Sequence, residues 1–125
     1  MANPNIVNVT TIYGNSSQTA LSTTSATSLV SNAAASGKVF KINSIVVANV
    51  DGTSAADITI NVYSAAALGG TAFAIASTIS VPADASLIVT DKTTSFYLLE
   101  NQSIGATAGT ANDLVVTASW EEINS

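Results

Sequence analysis

Any chemistry in this chain would have to rest on its acids. There are eight: Asp51, Asp57, Asp84, Asp91, Glu100, Asp113, Glu121 and Glu122. Glycoside hydrolysis needs two carboxylates facing each other across a cleft, and Glu100 with Glu121 or Glu122 is the only pairing to propose. Glu121 and Glu122 are adjacent at the end of an alternating segment, so on a strand they point to opposite faces, and a solvated strand end accounts for both. Asp51 and Asp57 are candidate oxygen ligands for Ca²⁺, but the dense D-x-[DN]-x-[DN]-G ligand pattern is missing. Asp51-Gly52 and Ala83-Asp84 suit turns instead, with the carboxylate accepting from nearby backbone amides. A serine nucleophile lacks both the G-x-S-x-G elbow and a histidine base. With no Cys and no His, the chain has no thiolate, no disulfide, no zinc ligand set and no imidazole acid-base group. No catalytic, cofactor-binding or metal-binding residue is assigned, and no cofactor is expected.

The elements that would position such groups read as strands. At 58–63, Ile58, Ile60 and Val62 share one face, opposite Thr59, Asn61 and Tyr63; this period of two marks a half-buried strand. Residues 73–81 place Phe73, Ile75, Ile79 and Val81 inward and stop at Pro82. Residues 39–50 place Phe40, Ile42, Val46 and Val50 on one face and end at the turn pair Asp51-Gly52. Residues 87–89 and 96–99 are short apolar runs joined by a polar connector. Residues 114–123 align Leu114, Val116, Ala118 and Trp120, which puts the tryptophan on the core side, although a glycan could also stack on an exposed indole. The stretches 6–13 and 19–30 lean towards strand. The tracts Ala33-Ala34-Ala35 and Ala65-Ala66-Ala67 are a turn long and run into glycines, so they read as loops. This spacing predicts an all-β fold, an antiparallel two-layer β-sandwich of jelly-roll or immunoglobulin-like order. Residues 1–18 form an N-terminal arm or edge strand, and 19–125 a single sandwich domain.

At 125 residues the chain fits one domain. Charged residues are 9% of it, against about 25% in ordinary proteins, and the net charge is -5. There is no arginine, and Lys38, Lys41 and Lys92 are scattered, so no basic face exists to displace counterions from a nucleic acid. No apolar run approaches the length of a membrane span, so no membrane partner is expected. The opening residues show no basic or apolar signal region, and synthesis in the cytoplasm is the expectation. A surface of Ala, Ser and Thr loses little side-chain entropy on burial and little charge desolvation, which favours packing against other subunits. Ile6, Val7, Val9, Ile12 and Tyr13 are the candidate subunit-interface residues, because an apolar arm at 5–13 can add a strand to a neighbour's sheet edge; the alternative is an edge strand of its own sandwich.

The run Lys38-Val39-Phe40-Lys41-Ile42-Asn43-Ser44-Ile45-Val46-Val47-Ala48-Asn49-Val50, the segment Val81-Pro82-Ala83-Asp84-Ala85-Ser86-Leu87 and the ending Trp120-Glu121-Glu122-Ile123 resemble small virion structural proteins of tailed phages, especially marine cyanophages. The resemblance spans 19–123 and carries no site residues. It implies a virion protein made in the host cytoplasm: a decoration (cement) protein on the head lattice, or a neck or tail subunit. Its expected partners are the major capsid protein or other virion proteins and further copies of itself, a trimer being favoured by closed symmetry. A glycan-binding module for host adsorption is the reading from a different class.

Overall fold

In the computed structural model, which describes residues 3–125, the chain forms nine strands: β1 (Thr11–Ala20), β2 (Thr27–Asn32), β3 (Lys38–Asn49), β4 (Ala56–Ala65), β5 (Gly69–Val81), β6 (Ser86–Thr90), β7 (Phe96–Leu98), β8 (Gln102–Ala108) and β9 (Leu114–Asn124). One sheet has the order β1-β9-β3-β6, with β7 also on β3; the other has the order β2-β8-β4-β5. All pairings are antiparallel. Two sheets packed face to face make the expected sandwich.

The pairing also settles the strand order. β6 and β7 lie along successive parts of β3, opposite Ile45–Ala48 and Phe40–Ile42, and act as one strand interrupted by a 3-10 turn at Lys92–Thr94. The pairs are then β1 with β9, β2 with β8, β3 with β6/β7 and β4 with β5, each nested inside the last. A long hairpin rolled up in this way is a jelly roll, not an immunoglobulin fold.

The core between the sheets is built from Ile42, Ile45, Val47, Ile58, Ile60, Leu98, Ile104, Leu114 and Val116, with Leu21 closing one end. Two buried asparagines tie loops to it. Asn32 donates to the Lys38 and Leu98 carbonyls at 2.9 and 3.3 Å and accepts from Ser36 Oγ at 2.6 Å. Asn49 donates to the Ser54 and Val81 carbonyls at 2.9 and 3.0 Å and accepts from the Asp51 amide at 2.9 Å. Each side-chain amide thereby bonds two backbone carbonyls. Trp120 is half-buried and stacks on Phe40, their ring centroids 6.4 Å apart.

Four expectations need correction. In β3 a bulge between Ile42 and Ser44 inserts one residue, and the alternation flips: Ile45, Val47 and Asn49 turn inward, while Val46 faces out and Val50 is exposed. In β5, Phe73 and Ile79 do sit opposite core-facing Val62 and Ile58, but nothing covers them, and Phe73 is 60% exposed. The strand over 6–13 begins only at Thr11, because Asn5–Asn8 form a turn, and 19–30 is broken by a loop before β2. Finally, β8 is a strand that the apolar alternation does not predict. It is a central strand with Ser103, Ile104, Gly105 and Ala106 all buried.

Candidate functional site

Nothing among the described residues gathers the acids into a chemical site. Glu121 accepts from Asn43 Nδ2 at 3.1 Å, and Glu122 pairs with Lys38 at 3.1 Å, so both are tied to β3 across the sheet. Asp51 accepts from the Thr53 amide at 3.1 Å and from its hydroxyl at 3.0 Å, as a turn former does. Asp91 caps the 3-10 turn in the same way: it accepts from the Thr93 amide at 2.9 Å and from its hydroxyl, and the Thr94 hydroxyl accepts from the Asp91 amide. The Thr93 hydroxyl foremost, then the amides, hold the Asp91 carboxyl below its ordinary range. Glu100, in the turn between β7 and β8, has both carboxylate oxygens buried without a hydrogen-bond partner. No group of three or more acids converges as a metal site among the described residues.

The distribution of charge over the strands is more informative. The three lysines and eight acids lie in β3, β4, β9 and the turns; the central strand β8 holds none, and neither do β1, β2, β5, β6 and β7. Those five strands are the ones on the outer edges of the two sheets. Proteins commonly blunt sheet edges with Lys, Pro or inward-pointing charges, because a free edge offers unpaired amides and carbonyls to another chain. Here the charges stand on central strands, and neither proline falls in a strand. Edge β5 runs 13 residues, with Phe73, Ile75 and Ile79 exposed along it. Its bulges opposite β4 and the left-handed backbone of Thr78 bend it. Edge β1 is straight, pairing with β9 over ten residues without a register shift.

The candidate interface residues fall in two places. Ile12 and Tyr13 lie on β1, exposed, opposite Ile123 and Glu122. Ile6, Val7 and Val9 precede it in an irregular arm; Met1 and Ala2 of the expected arm lie outside the described residues. The turn is held by the Asn8 amide on the Asn5 carbonyl at 3.2 Å and by the Val7 amide on Asn5 Oδ1 at 2.9 Å. It folds the arm back over the outer face of its own sheet. There Pro4 and Ile6, with Asn3, line a cleft of about 180 Å³ against Val39, Tyr97 and Leu99. Val7 is not brought in and is 92% exposed.

This cleft bears on a burial that the core does not account for, that of Val39, which lines it. Val39 and Ile123 face each other across β3 and β9 and are almost fully buried, yet neither belongs to the cluster between the sheets. They point to the outer face, one residue out of phase with inward Phe40. Nothing in the alternation marks this second apolar patch, or Phe73, Ile75 and Ile79 as surface. Alternation shows that a residue faces a sheet's apolar side but not whether another element lies over it.

No family model matches the chain, and no curated protein does. Among solved structures it is similar to a chain of the Bacillus endospore appendages, described as disulfide-linked pili. That likeness has a TM-score of 0.54 at 18% identity and covers 92% of this chain and 90% of that one. It is a likeness of fold over nearly the whole of both chains.

Proposed function

We propose that this chain is a non-enzymatic structural subunit that works by packing against other protein subunits along its uncharged strand edges. Within that class, its function is to decorate the head of a tailed phage as a cement protein in the virion, bound to the major capsid protein. The observation that carries the reading is the absence of charge from the strands at every sheet edge, while three of the four strands between them, β3, β4 and β9, carry it. An edge kept free of charge is a liability in a monomer and an asset in an assembly. The virion placement rests on the sequence resemblance. A subunit that binds only the assembled shell stabilises it by RT ln(1 + [L]/Kd) per site, repeated at every equivalent position.

The test is copy number in purified virions, by quantitative mass spectrometry against the major capsid protein. On the order of hundreds of copies supports decoration, whereas a small multiple of three or six points to the neck or tail, where ring symmetry fixes the count. Purified protein should also bind expanded, undecorated heads; failure to bind removes the decoration reading. A second reading, a subunit of a pilus-like filament, is favoured by the appendage neighbour, whose pili are disulfide-linked. This chain has no cysteine, so its own filament would be held by non-covalent contacts alone. Absence from virions together with filaments of purified protein would favour that reading.

A further inference from the structure

We infer that the arm of residues 3–9 is exchanged between copies of this chain, its Pro4 and Ile6 seating on Val39, Tyr97 and Leu99 of a second subunit. This rests on the assembly reading and names the contact that makes it. Five observations carry it. The arm's backbone bonds stay within its own turn, and the first one to the body is from the Thr10 amide to the Asn124 carbonyl, at 2.8 Å. Release therefore breaks side-chain packing and no β-ladder.

The occupant follows from the cleft itself. In a single copy the cleft is lined by this same segment, so the arm of a second copy brings the same side chains to the same partners, as in domain swapping. Val39, which lines the cleft, meets the same side chains in either arrangement. Charge agrees: neither residues 3–9 nor Val39, Tyr97 and Leu99 include an ionisable acid or a lysine, so no ion is desolvated when the two meet. Reach agrees as well. With the Asn5–Asn8 turn unrolled, residues 3–10 span about 26 Å at some 3.3 Å per residue, enough to leave the edge of one small domain and lie on the next. The single-copy seat is also an incomplete one, with an open cleft between arm and sheet and Val7 in solvent.

The absence of cysteine makes the test clean. The single variants Ile6→Cys and Leu99→Cys are mixed in equal amounts and treated with a short bismaleimide across a concentration series. Exchange predicts a covalent dimer with one chain of each kind, about tenfold or more above the collisional level, since a seated arm raises the local thiol concentration. Ile6→Cys mixed with Ala55→Cys, whose thiol sits in the exposed loop between β3 and β4, sets that collisional level. A mixed yield no higher than this control, together with only intramolecular cross-linking in the double variant Ile6→Cys/Leu99→Cys, overturns the inference. Sedimentation and head binding of the unmodified chain separate the two claims. Oligomers or bound heads without the cross-link overturn the exchange and leave the assembly reading standing; the cross-link without a place in virions leaves the exchange standing and overturns the virion placement.

Discussion

Glu100 is the residue least satisfied by its surroundings. Both of its oxygens are buried without a donor, and an uncompensated buried charge costs more than a neutral amide of the same shape. Glu100→Gln is expected to stabilise the fold by about 1 kcal/mol, read as a higher urea midpoint at neutral pH; an unchanged or lower midpoint would mean that the carboxylate has a role in the fold. Asp91 behaves oppositely. Its carboxyl is held below the ordinary range by Thr93, so the folded state binds the proton more weakly than the unfolded one. Its contribution is therefore present above the unfolded value of about 3.9 and is lost as pH falls through the lower folded value. The Tm difference between the wild type and Asp91→Asn should be small, present at neutral pH, and gone in strong acid. The role of Asp51 as a turn former was legible because Asp-Gly and a following Thr are local signals. The state of Glu100 was not, since it depends on what the fold lays over a turn.

Strands were legible where large β-branched residues alternate, as in β4 and β9, and illegible where small ones do the same work. β8 has a single large apolar residue, Ile104, and its packing needs the small ones. A Cβ on Gly105 would stand 2.7 Å from Leu68 Cδ2 and 3.0 Å from Tyr63, because the turn after β4 folds down over β8. Three of that turn's amides, those of Ala66, Ala67 and Leu68, are caught by Asn101 Oδ1, Ser31 Oγ and Ser103 Oγ at 3.1, 3.0 and 2.9 Å. Gly105→Ala should cost about 1–3 kcal/mol of unfolding free energy by overpacking. The β3 bulge was hidden for a related reason: one inserted residue changes no composition, yet it exchanges the faces of everything after it. β5 gives the element-scale test of assembly. Ile75 is exposed, so Ile75→Lys should move the unfolding free energy of the monomer by no more than about 0.5 kcal/mol. It should still abolish edge-dependent association in sedimentation, by restoring the charge that free edges ordinarily carry. Association unchanged by this lysine would take β5 out of the interface.

For the whole molecule, the two-layer architecture was readable from strand spacing, whereas the jelly-roll order was not, because nested pairing joins residues a hundred positions apart that leave no mark on each other's local sequence. Whatever assembly forms should survive strong reductant unchanged, as the chain offers no thiol; dissociation by dithiothreitol in non-reducing gels would point to a partner's disulfide. The outermost layer of the roll has a mechanical consequence. Thr11 is paired with Asn124, and the register runs from there to Ala20 with Val115, so both ends of the paired region lie at the same rim. Tension applied through the two ends would peel β1 from β9 one hydrogen bond at a time, a weak geometry, whereas a pull that slides two strands along each other loads all their bonds at once. A subunit of this shape bears force poorly when it is pulled through both ends of this outer pair.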